Sequence, residues 1–176
     1  MDSSGFRPVE DLSLMTTMRC NSRCRMCDIW KTNYDRADMS RDIVGKLRNS
    51  DVLKKSRMLM GKNFDVTFTG GEPFIREDFP EFFSWVEDSL GGSSYTISTN
   101  GMMTERVLGF LEENCGKRIT LHFSVDGGKE THDKQRGISG AYSRTMKTAK
   151  MVRERFPGVR TKFKFTITPE LSLIHI

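Results

Sequence analysis

Three of the four cysteines in the 176-residue chain crowd into eight residues, Cys20-Asn21-Ser22-Arg23-Cys24-Arg25-Met26-Cys27. Such close spacing lets three thiolates converge on one inorganic centre. A closed zinc site takes four ligands, so the set either recruits a remote histidine or Cys115, or keeps one position open for a reacting molecule. Thiolates are also the usual ligands of iron-sulfur clusters. Taken alone, the triplet reads more readily as a structural zinc knuckle, and the rest of the chain has to decide.

Composition narrows the setting. Hydrophobic residues make up 36% and charged residues 29%, the balance of a soluble globular domain. No apolar run approaches the roughly 20 residues that span a bilayer, and the N-terminus lacks the basic start and apolar core of a signal peptide. The expected address is the cytoplasm, where thiol clusters serve metals or redox chemistry more often than disulfides. The net charge of +5 is scattered, with modest groupings such as Lys54-Lys55, and reads as a solvated surface rather than a nucleic-acid face.

The elements that must carry these thiols show in the periodicity. Short β-leaning segments are expected at 12–18, 64–69, 94–99, 119–126 and 162–168. Amphipathic helices lie between them. Ser40 or Asp38 caps one that carries Ile43, Val44, Leu47 and Val52; Asp78 and Pro80 open the next, and Thr104 precedes a third. A fourth, with Tyr142, Met146, Ala149, Val152 and Phe156, stops at Pro157-Gly158. Strictly alternating strands and helices predict an α/β fold with a parallel sheet.

Three strands alternate apolar and polar residues. On the fourth, Ile119, Leu121, Phe123 and Val125 oppose Thr120, His122, Ser124 and Asp126. If helices cover the apolar face, the polar face lines a lumen, because burying unpaired polar groups is costly; the alternative is an open sheet with one face in water. His122 reads as a lumen residue or a hydrogen-bonded structural histidine. Cys20 to Cys27 follow the first strand, which puts them on the C-terminal rim where barrel-like folds keep their sites. Trp30 and Trp85 read as packing, Cys115 as an ordinary part-buried cysteine, and His132-Asp133 as a loop or helix cap.

Four further stretches come in a fixed order: Gly70-Gly71-Glu72-Pro73, Ser98-Thr99-Asn100-Gly101, Ser124-Val125-Asp126-Gly127 and His132-Asp133-Lys134-Gln135-Arg136-Gly137. Each alone is a weak signal, the first two reading as turns. Together with C-x3-C-x2-C they resemble the radical SAM enzymes, in the branch that holds molybdenum-cofactor biosynthesis enzymes and SPASM-type peptide maturases. The resemblance spans residues 12–168. It implies a partial (β/α) barrel with parallel strands, outer helices and about five strands present.

It also implies a [4Fe-4S] cluster on Cys20, Cys24 and Cys27, with S-adenosylmethionine on the fourth iron. Gly70 and Gly71 would let backbone approach that cofactor, Glu72 would accept from its ammonium, and Asn100, Ser124 and Asp126 would serve its ribose or carboxylate. Arg136 would fork onto the carboxylate, and Thr166 or Thr168 would border the adenine. Many members carry an aromatic residue where this chain has Met26, whose thioether offers similar apolar contact. The implied reaction is reductive cleavage to a 5'-deoxyadenosyl radical that takes hydrogen from an unknown substrate, a peptide or small-molecule precursor, with electrons from a low-potential donor. A zinc-binding structural module and an inactive adapter with the same fold are the alternatives.

Residues 1–11 are expected to form an N-terminal extension, 12–170 an incomplete core, and 171–176 a non-native tail that resembles a translated sequencing adapter.

Overall fold

Period-two alternation sets the two faces of one sheet. In the computed structural model, described for residues 6–31, 38–61, 64–114 and 116–168, five strands line up in sequence order, every neighbouring pair parallel. They are β1 (Asp11–Thr17), β2 (Asp65–Gly70), β3 (Ser94–Thr99), β4 (Ile119–Ser124) and β5 (Arg160–Lys164). The helices are α1 (Arg41–Asn49), α2 (Asp51–Met60), α3 (Phe79–Leu90), α4 (Thr104–Asn114), α5 (Lys129–Arg136) and α6 (Ala141–Arg155). This is the α/β architecture expected. Cys115 and the tail 171–176 lie outside the described residues.

The core is built on phenylalanine. Val66, Phe68, Ile97, Leu121 and Phe123 point from the sheet into Phe79, Phe82, Phe83, Val86 and Leu90 of α3 and Val107, Phe110 and Leu111 of α4, all fully buried or nearly so. Phe83 meets Phe110 edge-on at 5.0 Å and lies 5.1 Å from Phe68. Such pairs add specificity of fit beyond the area they bury.

Three expectations need correction. The helix expected to run through Val52 is two, because Ser50 is extended (φ −65°, ψ 144°) and its hydroxyl accepts from Leu53 N, capping α2. A serine competing for backbone donors breaks a helix as readily as it starts one. The last two strands end earlier than expected, β4 at Ser124 and β5 at Lys164, so Asp126, Thr166 and Thr168 sit on loops. Residues 129–136, including His132-Asp133, form a full helix, α5.

Helical cover also stops short of β5. Phe163, Phe165 and Ile167 are 53, 60 and 75% exposed, although Phe163 still touches the core through Phe123, with ring centroids 6.1 Å apart.

Candidate cofactor site

The C-terminal ends of all five strands converge on one cavity of about 270 Å³. Cys20, Cys24 and Cys27 line it together, opposite Gly70 and Gly71 after β2, Ser98, Thr99 and Asn100 after β3, Ser124 at the end of β4, and Thr166 beyond β5. Met26, Ile29, Trp30 and Arg136 complete much of the wall.

The cysteine loop is short of secondary structure of its own and is held from outside. Two carbonyls at the end of α5 take its amides: Arg23 N donates to Arg136 O and Arg25 N to Gln135 O, both at 2.9 Å. From the other side, Gly71 N donates to Thr17 O and Glu72 N to Arg19 O, both at 2.8 Å. A β-carbon on Gly71 would sit 2.1 Å from Arg19 O. The glycine therefore serves the approach of β2 to the cysteine loop as well as that of any ligand.

The stretch from His132 to Gly137 acts as a unit. His132, buried, accepts from Asp126 N through Nδ1 at 3.0 Å. Burial and then Arg136 hold this imidazole below its ordinary pKa, keeping it neutral and able to accept. Asp133 accepts from Tyr142 N and Gly140 N, joining α5 to the start of α6, and those bonds hold its carboxyl below the usual range. Arg136 approaches Asp126 Oδ2 at 2.8 Å and donates to Cys24 Sγ at 3.7 Å, while its buried Nε finds no acceptor among the described residues. The Asp126–Arg136 contact is an ion pair lying outside hydrogen-bond geometry.

Glu72 is held by donors of the protein itself. It is fully buried and absent from the cavity wall. Oε1 accepts from Thr99 Oγ1 at 2.8 Å and Phe74 N at 3.3 Å, and Oε2 from Asn100 N at 2.7 Å. Burial raises its pKa to about 7 against these donors. It thus ties the end of β2 to the end of β3. Asn100 extends the tie, donating to Asn21 Oδ1 at 2.6 Å and Ser22 Oγ at 3.3 Å in the cysteine loop. Asp126, also fully buried and off the wall, accepts from Thr166 N at 3.0 Å. Thr168 is engaged by Gln135 instead of the cavity.

Trp30, read as packing, is a wall residue whose Nε1 donates to Cys24 O at 2.9 Å. Its position three residues beyond Cys27, on a single 3-10 turn (Ile29–Lys31), was the available signal.

The donor set can be tested against its ligands. Among the described residues no three His, Cys, Asp or Glu side chains are arranged to hold a single ion. Burial pushes the Cys20 thiol up, so a metal bound there would displace a proton. Three free cysteines on one cavity wall are a donor set that an iron-sulfur cluster takes.

The sequence model described as Radical SAM superfamily matches residues 14–173. The chain belongs to the radical SAM superfamily. Among curated radical SAM relatives, Fe-coproporphyrin III synthase of Methanosarcina barkeri is 27% identical over 154 residues, covering 88% of this chain and 36% of its own length. GTP 3',8-cyclase of Acidothermus cellulolyticus is 29% identical over 133 residues, covering 68% and 33%. The chain spans about a third of the length of these relatives. Two solved structures, each 21% identical, share the fold: SuiB of Streptococcus suis, with a TM-score of 0.66 over 96% of this chain and 36% of that one, and native anSMEcpe with bound AdoMet and the Cp18Cys peptide, at 0.64 over 90% and 42%. The sheet is the partial barrel of the radical SAM fold.

Proposed function

We propose that this chain is the cofactor-binding core of a cytoplasmic radical SAM enzyme, with Cys20, Cys24 and Cys27 holding a [4Fe-4S] cluster. The observation that carries this is the cavity itself, in which three free thiols share one wall with the ends of the other strands. When bound and reduced by a low-potential donor, the cluster would pass an electron to S-adenosylmethionine, giving methionine and a 5'-deoxyadenosyl radical that takes hydrogen from substrate.

The protein's part is placement and shelter. Asn21 and Ser22 are fixed by Asn100, and the loop amides by α5, so the thiols are positioned before any metal arrives. Met26, Ile29 and Trp30 give the cavity an apolar wall suited to a purine, and Ser98, Ser124 and Thr166 supply polar contacts for a ribose. Gly70 and Gly71 leave backbone open to the methionyl end. Arg136 brings a cation to the wall, partly neutralised by Asp126, and its Nε remains to receive a carboxylate. Glu72 and Asp126 act as supports, holding strand ends rather than the cofactor.

Among the described residues no helix is long and apolar enough to cross a membrane. The reading is tested by anaerobic reconstitution and reduction with S-adenosylmethionine, assaying 5'-deoxyadenosine. Its formation, lost on Cys24→Ala, is expected; colourless protein carrying one zinc and forming none would overturn the proposal.

A further inference from the structure

On the polar face of β4, His122 lies in register with Ser98 of β3 and Lys162 of β5. Ser98 and Ser124, its neighbours across and along the sheet, both line the cofactor cavity. Both ring nitrogens of His122 are out of solvent, and among the described residues neither has a hydrogen-bond partner. Buried polar atoms are nearly always paired, so an imidazole with neither nitrogen satisfied calls for an explanation.

β5 supplies the surroundings. Phe123 and Phe163 meet on the core side, and strict alternation then turns Arg160, Lys162 and Lys164 to the opposite face, in register with Thr120, His122 and Ser124. Lys164 and Lys162 lie close enough that, after burial, their charges are what hold His122 below its ordinary pKa. Neither lysine, nor Arg160, joins an ion pair among the described residues. The acid that follows β4, Asp126, is taken by Arg136 and by Thr166 N. Lysines on an edge strand commonly deter strand pairing. That explains their exposure but leaves the histidine unexplained. Two uncompensated ammonium groups beside an unpartnered imidazole, adjoining a cofactor cavity, make a place where an anion would satisfy all three.

We infer that His122, Lys162 and Lys164 form a subsite for an anionic group of the substrate, a phosphate or a carboxylate, next to the cofactor cavity. The inference rests on the radical SAM reading for the cavity it adjoins, and it narrows the substrate to a molecule with an acidic appendage.

The test is a titration of the 176-residue chain with inorganic tripolyphosphate and, separately, with tricarballylate, following the His122 ring signals by NMR, assigned with His122→Gln. Saturable shifts with a rise in the His122 pKa are expected for at least one anion, and K162Q/K164Q should weaken that binding at least tenfold. The stronger binder of the two distinguishes a phosphate-bearing from a carboxylate-bearing substrate. Glutamine on exposed strand positions is a mild change, and His122→Gln gives a second variant in which the same weakening is expected, read by isothermal titration calorimetry with the same anions. If neither anion moves the His122 signals, or if the lysine double variant binds as the parent does, the subsite does not exist. The titration needs neither cluster nor S-adenosylmethionine, so its failure leaves the cofactor reading untouched.

Discussion

Gly137 stands so close to Arg23 that a β-carbon on it would lie 2.5 Å from the Arg23 carbonyl oxygen, at a backbone φ of +65°. The glycine ends α5 in the left-handed conformation that terminates helices, and the same geometry lets the end of that helix press on the cysteine loop. Because the α5 carbonyls also take the loop amides, the helix and its final glycine work as a clamp.

Gly137→Ala is therefore expected to cost the left-handed penalty of about 1–2 kcal/mol plus the displacement of Arg23. Both the urea midpoint and the iron retained after reconstitution should fall. Gly140 provides the control: its φ is +74° but nothing lies within 4 Å of an added β-carbon. Gly140→Ala should lower the midpoint and leave iron content near that of the parent.

Two buried groups give opposite pH dependences. Glu72 has its pKa raised from 4.5 to about 7 in the folded state. The unfolded chain loses this proton first, so the stability that protonated Glu72 contributes is full below about 4.5 and lost by about 7, up to roughly 3 kcal/mol. His132 is lowered from 6.5. There the unfolded chain gains the proton first, and stability falls as pH drops below about 6.5. His122, also lowered, adds to that second trend.

The slopes oppose each other in the parent and separate in variants. Denaturant unfolding of Glu72→Gln between pH 4.5 and 7 should show stability that only rises with pH. His132→Phe should lose stability more steeply with rising pH than the parent over the same range, because one of the opposing histidines is gone. Each substitution also leaves buried N–H donors without an acceptor, Asn100 N in the first and Asp126 N in the second, at about 1–3 kcal/mol.

Trp30 reports on the cavity. In a Trp85→Phe background it is the single indole, and its emission should change on adding S-adenosylmethionine to reconstituted protein. Trp85 packs on Phe82 and beneath Arg41, away from the wall. A Trp30→Phe chain, lit by Trp85 alone, should show no change.

The strands were legible because their side chains alternate, and most of the cavity because Cys20, Gly70, Ser98 and Ser124 fall just where those strands end. Helix α5 was not, since Lys-Glu-Thr-His-Asp-Lys-Gln-Arg holds no apolar residue and its buried side chains, His132 and Gln135, are polar. Periodicity has nothing to detect in such a helix. Glu72 was found by type, but its protein partners were not legible, because the donors that hold it, Thr99 and Asn100, are 27 and 28 residues away. For Trp30 only its closeness to Cys27 in sequence pointed to the cavity, and an aromatic residue at that distance is as often packing; the bond from its indole to Cys24 O is a tertiary contact.

The most direct measurement is metal and sulfide content after anaerobic reconstitution, for the parent chain and for Cys20→Ala, Cys24→Ala, Cys27→Ala and Cys115→Ala. The parent and the Cys115 variant should each hold about four irons and four sulfides per chain, and each of the other three should hold far less. One zinc per chain without sulfide, or iron that survives loss of Cys20, Cys24 or Cys27, would contradict the assignment of these cysteines to a cluster.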